Sequence, residues 1–189
     1  MIGNYEIFVH MPYGKMDEWV PRVKTSACID GFELFLRGEE LQFNRDEVIE
    51  KLSEVRENYS FTVHAPYMDI GLGCLDPDIA KISVKRYIQS MKFAGRIDAE
   101  GIVFHTNFDY RRIQTEKYHT YWLKRAAKNL KRIFSQVNNP VNVYVENVFE
   151  ETPEIFIRNL NSYREVHDVG VCLDTGHANY ISKTALSDW

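Results

Sequence analysis

Short runs of β-branched and aromatic residues alternate along the chain with longer segments whose apolar residues recur at helical spacing. The short runs predict strands and the longer segments predict helices. The predicted strands are Tyr5–Val9, Gly31–Leu36, Ser60–His64, Gly101–His105, Val141–Glu146 and Val169–Asp174. Alternation of this kind from end to end is typical of an α/β protein whose helices cover a parallel sheet.

Two of the predicted helices begin with a capping residue followed by proline. Asp76-Pro77 and Thr152-Pro153 each place a side-chain oxygen at the N-cap and proline at the first helical position. Beyond Asp76, the spacing up to Gly95 predicts one largely apolar face, formed by Ile79, Ser83, Tyr87, Met91 and Ala94.

The segment from about Thr115 to Val137 predicts a long helix with a buried face and a charged face. The predicted buried stripe consists of Trp122, Leu123, Ala126, Leu130, Ile133 and Val137. The lysines and arginines of this segment favour a solvated basic face over a phosphate-binding surface. His119 in this helix and His167 in a later loop are predicted to be surface residues.

The number of predicted βα units is smaller than a complete barrel requires. Six units occupy the 189 residues, whereas a (β/α)₈ barrel usually needs about 250. We therefore expect an α/β TIM barrel, one domain over residues 1–189, that stops after about six units. Residues 181–189 predict the opening of a sixth helix. Unpaired strand edges of such an arc invite pairing with another chain, so a homo-oligomer is a candidate assembly.

Composition narrows the class of protein. Hydrophobic residues make up 44% and charged residues 26% of the chain, as in ordinary soluble proteins. No apolar run approaches the roughly 20 residues of a membrane span, and no secretory signal is evident at the N-terminus. Cys28, Cys74 and Cys172 are too far apart for a zinc knuckle or a disulfide framework, so a cytoplasmic location is expected. The net charge of −4 lacks the basic excess of many nucleic-acid-binding proteins.

Ionisable residues stand at or just beyond the ends of four predicted strands. They are His64, His105, Glu146, Asp174 and, three residues further on, His177. The carboxyl ends of parallel barrel strands converge on one rim, so these side chains are expected to meet. Imidazoles with carboxylates suit Zn²⁺, Mn²⁺ or Fe²⁺, and the pattern therefore predicts a divalent-metal site. His10 also ends a predicted strand, and a substrate-lining role and a structural role both remain open for it.

Four sequence blocks resemble the xylose-isomerase-like TIM barrels, which include sugar isomerases and epimerases as well as endonuclease IV. The blocks are Val63–Tyr67, Val103–His105, Val145–Asn147 and Cys172–Asn179. The resemblance implies that Glu146 and Asp174 bind metal, and that Glu146 also acts as a general acid/base. His64 and His105 match zinc ligands of endonuclease IV. His177 matches a substrate contact in the epimerases and a zinc ligand in endonuclease IV.

The resemblance implies a divalent-metal-dependent isomerase or epimerase of a small sugar or sugar phosphate, acting through an enediolate. Asn147, His177 and His10 are then expected to contact the substrate. An endonuclease IV-like enzyme acting at abasic sites is the first alternative, and an inactive chain that lacks the ligands expected beyond Trp189 is the second.

The residues of the rim segments favour a carbohydrate over DNA as the substrate. Glu150 and Glu151 follow Glu146 closely and are expected to make this part of the rim unfavourable for a phosphate backbone. The segment Thr106–Arg112 is the remaining candidate to face DNA.

Overall fold

The computed structural model describes residues 5–23, 29–38, 41, 46–138 and 141–189. A parallel sheet of six strands lies at its centre, and the strands are neighbours in chain order. They are β1 (Phe8–Pro12), β2 (Gly31–Phe35), β3 (Ser60–His64), β4 (Gly101–His105), β5 (Asn142–Glu146) and β6 (Gly170–Cys172). The predicted α/β fold is confirmed, with six consecutive βα units arranged as in a TIM barrel.

A helix follows each strand along the chain. The helices are α1 (Met16–Val23), α2 (Asp46–Val55), α3 (Pro77–Arg96), α4 (Glu116–Phe134), α5 (Pro153–Arg164) and α6 (Thr175–Ile181). The helices bury their apolar faces on one side of the sheet, while alternate residues of each strand point to the opposite side. The core is therefore a layer of helix and strand side chains, among which Tyr87, Tyr163 and Phe104 are fully buried.

Strand β1 lies three residues later than predicted. The pattern predicted Tyr5–Val9, but Phe8–Pro12 pairs with β2, and Tyr5 is 79% exposed. Proline usually ends a strand because it donates no hydrogen bond, but a strand at the end of a sheet tolerates it. His10 consequently lies in the middle of β1 and not at its end.

The two predicted proline starts are confirmed, with different caps. Asp76 accepts hydrogen bonds from the backbone N–H groups of Asp78 and Ile79, at 2.8 and 3.2 Å. Thr152 precedes α5 without a capping bond from its side chain. The predicted apolar face of α3 is buried except at Ile79, which is 41% exposed because Ala80 takes the inward position in the first turn.

The six residues of the predicted stripe are all buried, but α4 ends at Phe134, and Val137 lies beyond the helix. The prediction that His119 is a surface residue is wrong: it is 7% exposed, and its Nε2 lies 2.8 Å from Oδ1 of Asn159 on α5. Periodicity placed this polar ring beside the apolar stripe but could not show that a partner on the next helix would satisfy it. His167 is half-buried, with its ring stacked 3.8 Å from the centre of Phe134.

The last helix begins earlier than predicted. The pattern predicted a helix opening at residues 181–189, but α6 runs from Thr175 to Ile181, and only a 3₁₀ turn, Leu186–Asp188, follows. The cause is Asp174, whose side chain caps the helix by accepting the His177 N–H at 2.7 Å. This early start brings His177 back to the end of β6.

Tyr144 of β5 lies between two glycines on the neighbouring strands. A Cβ built at Gly101 or at Gly170 would lie 2.6 Å from a carbon of the Tyr144 ring, far inside van der Waals contact. The missing side chains on β4 and β6 therefore make room for the ring on the sheet face opposite the helices.

Among the residues that the structure describes, no helix has the length and apolarity that crossing a membrane requires. Cys74 and Cys172 are free thiols, and Cys28 lies outside the described residues.

Candidate metal centre

The carboxyl ends of the strands surround an open cavity of about 680 Å³. The structure brings all five residues of the predicted metal site to its wall, together with His10. They are His64, His105, Glu146, Asp174 and His177. Residues separated by up to 113 positions in the sequence thus become neighbours because parallel strands end at one rim.

Three of these side chains converge from adjacent strands. Oε2 of Glu146 lies 3.2 Å from Nε2 of His64 and 3.4 Å from Nε2 of His105. The two imidazole nitrogens are 3.1 Å apart. All three residues are buried, so a carboxylate oxygen and two ring nitrogens face one point that is largely shielded from water.

The orientation of His64 favours a ligand role for its Nε2. Its Nδ1 lies 2.8 Å from the carbonyl oxygen of Ala65. A carbonyl only accepts hydrogen bonds, so in the neutral ring Nδ1 carries the proton and Nε2 presents a lone pair. Two imidazole nitrogens with a carboxylate form a donor set that fits a transition-metal dication.

Glu146 is held in its charged form. Burial on its own raises the pKa of the carboxyl group, but the rings of His105 and His64, which donate to it when they are protonated, outweigh burial and hold that pKa well below its usual range. Burial lowers the pKa of His105, and Glu146 offsets this in part. Burial also acts to lower the pKa of His64, but its bond to Glu146 and the charge of Glu33 raise it overall.

The other oxygen of Glu146 faces a second group. Oε1 lies 3.3 Å from Nδ1 of His177, and Oδ2 of Asp174 lies 3.4 Å from the same nitrogen. The carbonyl oxygen of Asn147 is 3.1 Å from it. With three oxygens around it, Nδ1 acts as a proton donor, and Nε2 is the nitrogen left for a metal or a substrate.

Asn147 lies behind the site. Its side chain is 1% exposed and forms two hydrogen bonds with the backbone of Asp174, donating to the carbonyl at 3.0 Å and accepting from the N–H at 2.7 Å. This side chain therefore fixes the position of Asp174. The predicted contact of Asn147 with substrate would require these two bonds to break.

His10 has a partner that sequence reasoning missed. Its Nδ1 lies 3.1 Å from Oε1 of Glu33, the residue paired with it across β1 and β2. Both side chains line the cavity. A carboxylate in the middle of the apolar run Gly31–Phe35 was the available signal, since a charge inside a strand needs a partner or a polar cavity.

Tyr67 also belongs to the cavity wall, and the sequence analysis assigned it no role in the site. Its ring stacks on His105, with centroids 4.3 Å apart and an angle of 22° between the planes. It also meets His64 edge to face, at 5.5 Å. The position of Tyr67 after the last residue of β3 gave no sign that it turns back over both histidines.

The expectation of an acidic rim after β5 is wrong for Glu150. Its carboxylate is 2% exposed and points into the protein, where it accepts hydrogen bonds from Thr106 and from the Val148 N–H. Glu151 forms an ion pair with Lys183 at 2.5 Å. Neither acidic side chain is therefore free to repel an anion at the rim.

The two arginines of the segment after β4 also form ion pairs within the protein. Arg111 donates to both oxygens of Asp109, at 2.8 and 3.0 Å, and Arg112 lies 3.4 Å from the same carboxylate. Arg111 lies over the ring of Phe149 as well. The candidate DNA-facing loop thus carries an internal counter-charge.

The sequence profile described as xylose isomerase-like TIM barrel matches residues 25–187. The chain belongs to this family. None of the curated proteins matches it.

Solved structures with the same fold include two from Thermus thermophilus. The TTHB071 protein, soaked with ZnCl₂, has a TM-score of 0.71 and 20% identity over 95% of this chain and 70% of its own. Endonuclease IV has a TM-score of 0.62 and 18% identity over 92% of this chain and 64% of its own.

A third similar structure is D-psicose 3-epimerase from Clostridium cellulolyticum with D-tagatose. Its TM-score is 0.75 and its identity 17%, over 97% of this chain and 68% of its own. The chain thus spans about two thirds of the length of these structures. At such identities the likeness establishes the fold.

Proposed function

We propose that this member of the family is a divalent-metal-dependent isomerase or epimerase of a small sugar or sugar phosphate. The observation that carries the proposal is the buried Glu146, whose carboxylate lies within 3.4 Å of two imidazole nitrogens at the wall of a cavity of about 680 Å³. That volume suits a small molecule. The similarity to D-psicose 3-epimerase supports a sugar as substrate.

The residues that would hold Zn²⁺, Mn²⁺ or Fe²⁺ are those that converge on Glu146. They are His64, His105, Glu146, Asp174 and His177. A neighbouring structure soaked with ZnCl₂ supports a metal in this fold. The bound ion would supply a Lewis acid that polarises an oxygen of the substrate.

The chain's own residues account for the proton transfer and the orientation of the sugar. Glu146 would remove the proton from the carbon next to the carbonyl and return it on reprotonation, as a general base and then a general acid. The free Nε2 atoms of His10, whose Nδ1 is held by Glu33, and of His177 would accept hydrogen bonds from the sugar hydroxyls. Tyr67 would shield the two buried histidines from water.

Solvent exchange tests this proposal directly. The protein, loaded with Mn²⁺ or Zn²⁺, is incubated in D₂O with a panel of aldoses, ketoses and their phosphates, and deuterium at the carbon next to the carbonyl is followed by NMR. We expect exchange with the wild type and none with Glu146→Gln, because an amide does not accept the proton. Glu165→Gln is the matched control, since Glu165 is exposed at the end of α5. A lack of exchange on every sugar would contradict the proposal.

Metal-dependent cleavage of a phosphodiester is the second candidate. One oxygen of Glu146 faces His64 and His105, and the other faces His177, so the carboxylate is placed to serve two ions. Two-metal sites are typical of phosphodiester hydrolysis, and endonuclease IV shares the fold. The pairing of Arg111 and Arg112 with Asp109 counts against a DNA backbone as substrate.

Cleavage of a duplex carrying one abasic site separates the two candidates. Metal-dependent nicking without exchange on any sugar would favour the nuclease. A protein that binds metal but shows neither activity would favour a binding role.

A further inference from the structure

Glu150 is a buried carboxylate for which the proposed chemistry has no use. It lies between β5 and α5 and is 2% exposed. Its hydrogen-bond donors in the described part of the chain are uncharged: the hydroxyl of Thr106, the N–H of Val148 and the amide of Asn159. A carboxylate without a cation is costly to bury, and this cost is offset only by the hydrogen bonds that it accepts.

The donors to Glu150 come from two segments that carry candidate ligands. Oε1 accepts from the Thr106 hydroxyl at 2.5 Å, and Thr106 directly follows His105. Oε2 accepts from the Val148 N–H at 2.8 Å, two residues after Glu146. One side chain thus joins the segments that leave β4 and β5 at the point where each presents a ligand to the cavity.

Residues of α4 and α5 also hold Glu150 and its partner Thr106 in place. Asn159 of α5 donates to Oε1 at 3.1 Å, and the same amide group is held through its oxygen by the ring of His119 on α4. The hydroxyl of Tyr163, which is fully buried, donates to the carbonyl of Thr106 at 3.1 Å. The contact between Glu150 and Thr106 is therefore held in place by α4 and α5.

We infer that Glu150 is a positioning residue, which holds His105 and Glu146 at the spacing that the metal centre needs. The inference rests on the proposed metal-dependent function. A carboxylate suits this position because its two oxygens accept from donors on both segments at once. Burial raises the pKa of Glu150 from its ordinary value, and the hydrogen bonds that it accepts oppose this only in part.

Two substitutions break the two contacts of Glu150 separately, the one with Val148 and the one with Thr106. Glu150→Gln keeps an oxygen for Thr106 but turns an N–H group toward the N–H of Val148, so it releases the segment after β5. Thr106→Val keeps the shape of the side chain but removes the hydroxyl, so it releases the segment after β4. The control is Asn129→Ala, which removes a buried hydrogen bond of 2.7 Å to the carbonyl of Leu72 and touches neither segment.

Two measurements, one on the metal-free protein and one on its Co²⁺ complex, test whether Glu150 positions His105 and Glu146. Amide hydrogen exchange without metal should rise at residues 147–149 in Glu150→Gln and at residues 106 and 107 in Thr106→Val. Phe108 is left out of the comparison because its N–H donates directly to the Thr106 hydroxyl. The dissociation constant for Co²⁺, read from its visible absorption, should rise about tenfold or more in both variants, as for residues that orient metal ligands. Asn129→Ala should leave the amide exchange of these segments and the dissociation constant for Co²⁺ at the wild-type level.

Co²⁺ affinities within twofold of the wild type in both variants would overturn the inference, as would an equal loss in Asn129→Ala. A wild-type protein that binds no Co²⁺ would instead contradict the proposed metal centre. In that case the exchange data still show whether Glu150 joins the two segments, because they need no metal.

Discussion

Acidification should destabilise the protein in part through His119, the buried ring between α4 and α5. Its Nε2 lies 2.8 Å from Oδ1 of Asn159, and its Nδ1 lies 3.4 Å from a guanidinium nitrogen of Arg158. Arginine only donates, so Nδ1 accepts and Nε2 carries the proton of the neutral ring. A second proton would have to sit on Nδ1, directly facing the cation.

The sign and the upper limit of the effect follow from this geometry. Burial lowers the pKa of His119, and the charge of Arg158 lowers it further, against the opposing effects of Asn159 and Glu116. The unfolded chain therefore binds the proton first, near pH 6.5. Stability should fall as the pH drops below this value, until the folded ring also protonates. A single proton contributes at most about 1.4 kcal/mol per pH unit.

Urea unfolding of the wild type and His119→Gln between about pH 5 and pH 7.5 measures this contribution. Glutamine does not titrate, so the variant should lose less stability on acidification than the wild type. The difference between the two slopes below pH 6.5 isolates His119, because the other titrating groups are common to both proteins. Identical slopes would refute the placement of a neutral His119 between Asn159 and Arg158.

Two further predictions concern the fold around the site. Gly170→Ala should lower the free energy of unfolding by about 1–3 kcal/mol, because the new methyl group would lie 2.6 Å from the Tyr144 ring. Urea unfolding should show most of that loss recovered in the double variant with Tyr144→Val, and a purely additive double variant would contradict the contact. Asp76→Ala should cost about 1 kcal/mol by removing the cap of α3. Thr152→Ala should cost clearly less, because Thr152 makes no capping bond, and equal losses would contradict this difference.

The sequence predicted the sheet well because its strands are short apolar runs with clear boundaries. Ser60–His64 and Gly101–His105 begin and end where predicted, and the positions of His64 and His105 at strand ends were enough to place both at the rim. Strand β1 was predicted at Tyr5–Val9 but lies at Phe8–Pro12, where its position at the end of the sheet tolerates proline.

The residues that the sequence did not reveal are those defined by partners far along the chain. Glu150 looks like one of two rim acids until Thr106, 44 positions earlier, is seen to donate to it. His119 looks exposed until Asn159 is placed opposite it. Glu33 needed the β1–β2 register to become the partner of His10. Local periodicity contains no information on such pairs, since it reports only the environment along one element.

Titration with a divalent cation shows whether the side chains around Glu146 form a metal centre. The protein is freed of metal with a chelator, and Zn²⁺ or Mn²⁺ is then titrated in a calorimeter while thermal unfolding is followed with and without the ion. For the wild type and for Glu165→Gln we expect saturable binding and a higher midpoint of unfolding, because a ligand of the folded state stabilises it. We expect Glu146→Gln to lose at least tenfold in affinity for the ion, since Glu146 is the one side chain shared by both groups of candidate ligands in the described chain. Binding of equal strength in Glu146→Gln, or no binding by the wild type, would contradict a metal centre around Glu146.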